Sequence, residues 1–294
     1  MTVFIFGEAM LEYHSEGGSG LRYGGDTLNT AIHLTRAGHD VAYVTAVGTD
    51  PISDALVSAW AAEGIDTRFV LRHPARHPGI YAIHLDANGE RSFLYWRDQS
   101  AAREIFQLEG IADALAAAKD ARLVYFSLIT LAVIGDEGRQ HLLELATTRR
   151  LAGRAIAYDS NFRPALWSSI SKARRTSQHA AEACSIGLPT NTDERELWGD
   201  HDSDVEIARR WSGNDRTVVL KAADRGCFLA SDGQIEPELL PAKRVDVVDT
   251  SGAGDAFNGG FLAAWLSAKD LHECVEAGQR LARKVIGHRG AIEL

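Results

Sequence analysis

The chain has 294 residues, enough to bury a core as one large α/β domain or one domain with a small appendage. At 45% apolar and 24% charged residues it has globular composition, which excludes a disordered chain, a collagen-like repeat or a coiled coil. Asp and Glu outnumber Lys and Arg by 40 to 31, and the net charge of -9 argues against nucleic acid or an anionic membrane as a partner.

The chain opens with Val3-Phe4-Ile5-Phe6, too short for a signal h-region and without a basic prelude, so it reads as a first strand. No stretch approaches the roughly 20 apolar residues of a bilayer span, and a cytoplasmic location is expected. Three cysteines, Cys184, Cys227 and Cys274, cannot all pair and show no metal-ligand spacing, which predicts buried thiols in a reducing compartment.

Short apolar runs then alternate with segments of helical period, the pattern of βαβ units feeding a mostly parallel sheet. Core strands are predicted at Val3 to Phe6, Val41 to Val47, Leu123 to Phe126, Ala155 to Tyr158, Thr217 to Leu220 and Cys227 to Ala230. Helices are predicted at Thr27 to Ala37, Ser53 to Glu63, Leu108 to Lys119, Asp136 to Thr147 and Ile207 to Trp211, and two more follow Ala253. The expected fold is α/β in one domain spanning 1–294.

One segment breaks this rhythm. Gly79 to Leu85 and Arg91 to Arg97 are β-type runs around Asp86-Ala87-Asn88-Gly89, a hairpin signal because Asn and Gly accept positive φ. A three-residue loop pairs Tyr81 with Tyr95 and puts Tyr81, Tyr95 and Arg97 on one face, whereas a two-residue Asn-Gly turn puts Tyr81 opposite the other two. With Leu11 to Tyr23 supplying partner strands, the insertions at about 11–24 and 79–98 form either a small β lid or a cover for one sheet edge.

The sharpest chemical signal lies late in the chain, in Asp249-Thr250-Ser251-Gly252-Ala253-Gly254-Asp255. A turn of small residues opening a helix lets the amides of Gly252, Ala253 and Gly254 converge as an anion hole at the positive end of the helix dipole. Asp255 in the first turn is placed to accept a proton from a hydroxyl beside the bound anion, the arrangement that phosphoryl transfer to an alcohol needs. An ordinary capped helix start with Asp255 as its N-terminal charge is the competing reading. A dinucleotide fingerprint fails because Phe257 occupies the place of its third Gly, and GxxxxGK[ST] is absent.

The Asp249 to Asp255 stretch resembles the C-terminal signature of the ribokinase-like (PfkB) carbohydrate kinases. Gly24-Gly25-Asp26-Thr27-Leu28-Asn29-Thr30-Ala31 resembles the family's N-terminal sugar-binding signature, so the likeness runs through essentially the whole chain. Gly25 to Thr30, Gly89 to Arg97, Asp159 to Trp167 and Arg289 to Ile292 are similar to the branch that phosphorylates 2-dehydro-3-deoxygluconate. The resemblance implies a Rossmann-like core with a β lid, and transfer of the ATP γ-phosphoryl group to the C6 hydroxyl of that sugar acid. It also implies a homo-oligomer, with dimer contacts through the lids.

Carried onto this sequence, the resemblance makes Asp255 the base and the Gly252 to Gly254 amides the anion hole. It assigns Gly24, Gly25, Asn29, Tyr81, Tyr95, Arg97, Ile129, Arg163 and Asp255 to the sugar acid. Asn191, Lys221, Arg225, Gly226, Gly252 and Gly254 fall to ATP, and Asn191 and Glu194 to Mg²⁺ through water, with K⁺ near Asp249 as a further candidate. A carboxylate-bearing substrate needs a fixed cation, for which Arg97 and Arg163 offer bidentate geometry. The chain departs from the family at Ala223, which stands where a Gly is usual. A fructokinase, a ribokinase, a 2-keto-3-deoxygalactonate kinase or a non-catalytic sugar or nucleotide sensor of the same fold are the alternative functions.

Overall fold

The computed structural model describes residues 2–14, 22–85, 91–199, 201–213, 215–231 and 236–292. Strands β1 (Val3–Phe6), β2 (Met10–His14), β3 (Tyr23–Gly24), β4 (Val41–Val47), β5 (Val70–Arg72), β6 (Gly79–Leu85) and β7 (Arg91–Trp96) come from the first third. They are followed by β8 (Leu123–Ser127), β9 (Ala155–Asp159), β10 (Ile186–Gly187), β11 (Thr217–Lys221), β12 (Cys227–Ala230) and β13 (Glu238–Leu240). The helices are α1 (Asp26–Arg36), α2 (Pro51–Ala62), α3 (Ile111–Lys119), α4 (Leu128–Val133), α5 (Gly135–Leu151), α6 (Ile170–Ala183), α7 (Asn191–Trp198), α8 (Asp204–Trp211), α9 (Ala253–Leu266) and α10 (Leu271–Ile286).

The large sheet runs in the order β13-β12-β11-β10-β9-β8-β1-β4-β5. Its strands from β11 to β5 are parallel, and β12 and β13 add an antiparallel edge. The parallel strands are mostly apolar because both faces are covered, with polar residues chiefly at their ends. Phe4, Phe6, Val124 and Phe126 enter one core layer, while Val3, Ile5, Leu123 and Tyr125 enter the other, where α9 packs against α1 and α10. Beginning from β1, the chain winds to β4 and β5 on one side and to β8 through β11 on the other. Such a reversal opens a crevice at the carboxyl ends of the strands around β1.

The small sheet has the order β3-β2-β6-β7. Its register pairs Tyr81 with Tyr95 and Ile83 with Phe93, as the three-residue loop requires, although the turn itself lies outside the described residues. Residues 10–14 and 23–24 supply the two partner strands, β2 pairing parallel with β6.

The predicted core strands are all present, and the helices fall within a few residues of the expected bounds. The sequence reading missed β5, β10, β13, α4, α6 and α7. Two-residue β10 carries too little periodicity to read, and α6 is rich in polar residues and Ala, so that its buried face is Ala173, Thr176, Ser177, Ala180 and Ala183 rather than large apolar groups. Cys184, Cys227 and Cys274 are free and buried.

Candidate active site

The crevice is lined by the residues that end the central strands and begin two helices. Glu8 follows β1, Ser127 and Asp159 end β8 and β9, Lys221 ends β11, and Asp26 and Asp255 lie in the first turns of α1 and α9. Facing helix starts make this end of the sheet electropositive in its backbone, which is where acidic side chains and anions are favoured.

Asp255 is buried, and Asn29 Nδ2 donates to its Oδ2 at 2.8 Å. Burial, with the nearby Asp26 and Asp159 carboxylates, pushes its carboxyl up to about 8, against the Asn29 amide and the Lys221 charge. Burial likewise raises Asp26. A carboxyl so placed is a poised proton acceptor rather than a surface charge.

Gly252 caps α9 with φ +71, and among the described residues neither its amide nor that of Gly254 has a protein acceptor. The Ala253 amide differs from expectation: it donates to Thr250 O at 3.2 Å, closing the turn that exposes its neighbours. The amides left unpaired at this turn are therefore those of Gly252 and Gly254. Lys221 stands beside it, its Nζ 3.8 Å from where a Gly254 Cβ would lie.

Lys221 Nζ is fixed by Asp159 Oδ1 at 3.2 Å and Asn258 Oδ1 at 3.0 Å. Asn258 Nδ2 donates in turn to Asp159 Oδ2 at 2.7 Å and to the Tyr125 hydroxyl at 3.1 Å. A buried ammonium held in this way stays in one place, which electrostatic stabilisation of a migrating phosphoryl group requires.

Gly24 and Gly25 border the small sheet. A Cβ on Gly24 would collide with the Tyr81 hydroxyl, and one on Gly25 with the Glu8 carbonyl oxygen. Tyr81 donates to Glu12, and its ring lies 6.1 Å from that of Tyr95. Arg97 lies over Tyr95, 5.9 Å from the ring centroid, and forms a buried ion pair with Glu8. Ile129 is buried in α4. Arg163 is apart from this group. Its half-exposed guanidinium lies 3.4 Å from the Asp193 carboxylate, at the start of α7.

Asn191 and Glu194 are both buried on α7. Asn191 Nδ2 donates to Asp204 Oδ1 at 3.1 Å, and Glu194 Oε2 accepts from Trp211 Nε1 at 2.7 Å. Burial raises the Glu194 carboxyl, opposed mainly by that indole. Asn191 Oδ1 and Glu194 Oε1 are buried without a hydrogen-bond partner. Arg225, expected at phosphate, is ion-paired with Asp204 while its guanidinium stays half-exposed. Gly226, at φ +107, lets the backbone pass Leu240 to Ala242, where a Cβ would lie 2.6 Å from Ala242 N. Ala223 itself adopts φ 51, the left-handed conformation that its family counterpart, a glycine, holds without strain.

Glu8, Asp26, Asp159 and Asn258 belong to the site and were not among the expected residues. Spacing offered a signal for two of them, since Asp26 precedes Asn29 by one helical turn and Asn258 follows Asp255 by one.

A doubly wound sheet carrying an amide cradle, a fixed ammonium and a poised carboxyl at its switch point defines the ribokinase-like class of phosphotransferases. The chain belongs to the pfkB family of carbohydrate kinases, whose sequence profile it matches over residues 12–294. It is 38% identical to the 2-dehydro-3-deoxygluconokinase of Haemophilus influenzae, the alignment covering 99% of this chain and 95% of that one. It is 34% identical to the enzyme of that name from Escherichia coli, over 99% and 96% of the two chains. The crystal structure of 2-dehydro-3-deoxygluconokinase from Thermotoga maritima superposes with TM-score 0.84 at 22% identity, covering 100% of this chain and 96% of that one, which shows the shared fold. Among the described residues no helix is long and apolar enough to cross a membrane, and no group of three or more His, Cys, Asp or Glu is arranged to hold a metal ion.

Proposed function

We propose that the chain is an ATP-dependent kinase that phosphorylates the C6 hydroxyl of 2-dehydro-3-deoxy-D-gluconate, giving 2-dehydro-3-deoxy-6-phosphogluconate. The observation that carries this reading is the buried Asp255 carboxyl beside the unpaired Gly252 and Gly254 amides and the fixed Lys221 ammonium.

In this reading Asp255 accepts the acceptor hydroxyl's proton while Asn29 holds its other oxygen still. The two glycine amides and Lys221 take the charge of the transferring phosphoryl group. Removing one donor of this kind typically costs about 2.7 to 4 kcal/mol of barrier. Gly24, Gly25 and Ile129 shape the sugar pocket, Tyr81 and Tyr95 provide flat walls with hydroxyls, and Arg97 reads the substrate carboxylate. Arg163, beside Asp193, is the second cation assigned to the sugar acid, on the family resemblance.

The buried, unpartnered acceptors Asn191 Oδ1 and Glu194 Oε1 suit a hydrated divalent cation, which they would hold through water, as Mg²⁺ prefers. Bound there, Mg²⁺ would neutralise phosphate charge. K⁺ is a further candidate near Asp249, whose carboxylate accepts from the Ser251 amide at 2.9 Å and the Gly290 amide at 2.7 Å.

We read the small sheet as a lid on a single domain. Tyr13, Ile80, Leu94 and Trp96 lie exposed on one face of it, which supports a homodimer through the lids. A coupled ADP-release assay over sugar acids and neutral sugars tests the function. Turnover of 2-dehydro-3-deoxygluconate with little on neutral hexoses is expected, and the reverse order would refute the substrate assignment.

A further inference from the structure

The root of the small sheet carries a contact whose purpose the reading above leaves open. Glu8, two residues beyond the end of β1, is 1% exposed, and Arg97, the residue after β7, is 7% exposed. They form a buried ion pair that joins the large sheet to the small one. Each leaves one polar atom buried and unpaired: Glu8 Oε1 and Arg97 Nε. Gly79 makes room for the pair, since a Cβ there would lie 3.2 Å from Glu8 Oε1 and 3.1 Å from Arg97 Cβ.

The geometry points to Glu8 as a positioning residue that holds the Arg97 guanidinium at the sugar pocket, so that Glu8 sets selectivity for sugar acids. The inference rests on the reading of Arg97 given above.

The physical argument is one of alternatives. A guanidinium loses its hydration on burial, and without a paired carboxylate it does better by swinging its long stem toward water. The neighbouring face of the lid is open to solvent, so that escape is available. Glu8 lies in the short connection between the central strand β1 and β2 of the small sheet, two residues from each, and therefore ties Arg97 to the junction of the two sheets. Only one guanidinium nitrogen bonds Glu8. The rest of the guanidinium is left to donate to an incoming carboxylate.

Steady-state kinetics on Glu8→Gln, Glu8→Asp, Arg97→Met and the Glu8→Gln/Arg97→Met double variant test this. Glu8→Gln keeps the shape and removes the charge. It is expected to raise KM for 2-dehydro-3-deoxygluconate at least tenfold, with kcat within threefold and with KM for a neutral hexose unchanged. Glu8→Asp should recover part of the loss, and the double variant should be no worse than Arg97→Met alone. Gly79→Ala, which crowds the pair without altering its charge, should shift KM in the same direction and supplies the test if Glu8→Gln fails to fold. An unchanged or lowered KM in Glu8→Gln while Arg97→Met raises it would overturn the role of Glu8 and leave the Arg97 reading intact. An unchanged KM in Arg97→Met would overturn both.

Discussion

Asn29 and Asp255 are 226 residues apart in the chain, and their side chains meet in one hydrogen bond of 2.8 Å, Nδ2 to Oδ2. The contact brings the first turns of α1 and α9 together at the edge of the crevice, so the orientation of the proposed base is set by the helix that also carries Gly25 at its cap. One carboxylate oxygen is thereby committed to Asn29, and the other is left for a substrate hydroxyl.

The first prediction concerns Asp255 as base. Its carboxyl, pushed up to about 8, is mostly protonated in the free protein at neutral pH. Because kcat/KM reports the free enzyme, it should rise with pH and level off above about 8. Asp255→Asn should lower kcat by about 10³-fold or more while ATP still raises the melting temperature. A variant as active as the parent would remove Asp255 from the mechanism.

The same group links stability to pH. Its folded value lies above the ordinary carboxylate value, so between about 4 and 8 the folded chain binds a proton that the unfolded chain has released. Stability drawn from this site is therefore complete at low pH and declines as pH rises through that window, by up to about 1.4 kcal/mol per unit. Asp255→Asn escapes the decline. Its stability relative to the parent should grow from pH 5 to pH 8, as followed by denaturant unfolding, and a constant difference would contradict the burial argument.

Lys221 holds two buried partners and stands beside the amide cradle. Lys221→Met leaves Asp159 without its counter-charge, which should cost about 3 kcal/mol of stability, and should slow kcat by about 10²-fold as one source of phosphoryl stabilisation is lost. Since the Lys221 charge lowers the Asp255 carboxyl, its loss should also move the pH-rate profile to higher pH. A slower enzyme with an unmoved profile would separate Lys221 from Asp255.

Much of this was legible in the sequence, and the division has a physical basis. The central strands announce themselves because a parallel strand buried on both faces is a nearly continuous apolar run, as in Val41 to Val47 with Thr45 alone interrupting it. Asp255 and Asn29 were found through the local wording of two helix starts. Glu8 and Asp159 look like any acid at a strand end, and only the crossing of β1, β9 and the lid buries them. The register of Tyr81 on Tyr95 turned on one residue of loop length, which the Asn-Gly pair left open. The partner of Arg225, Asp204, comes from a helix start about 20 residues away with no sequence mark of the contact.

Ala223 allows a prediction about stability alone. Its left-handed φ of 51 costs an L-residue about 1 kcal/mol, and the side chain is exposed, so that no packing is lost on its removal. Ala223→Gly should stabilise the chain by up to about 1 kcal/mol in urea unfolding, with ATP turnover close to that of the parent. A destabilised variant would mean that the Ala223 methyl group stiffens the unfolded chain by more than it strains the folded one.

Gly252 is held to glycine from two directions. Its φ is +71, and a Cβ there would collide with Ala291 Cβ and lie 2.8 Å from Ala291 Cα. Ala291 cannot easily give way, because its carbonyl is bonded to His33 Nε2 at 3.1 Å and the adjoining Gly290 amide donates to Asp249 Oδ2 at 2.7 Å. Burial lowers His33 to about 4, so its ring is neutral at working pH and donates through Nε2 as one tautomer. Gly252→Ala must therefore displace the amide cradle itself. Loss of about 10²-fold or more in kcat is expected, with about 2 kcal/mol of stability and little change in KM for the sugar acid. Adding Ala291→Gly removes the methyl collision, but the main chain at position 291 still crowds the new methyl group and the left-handed φ persists. The double variant should therefore recover stability in part and kcat hardly at all. Full recovery of kcat would show that crowding by the C-terminal segment, rather than the backbone conformation of the cradle, limits position 252.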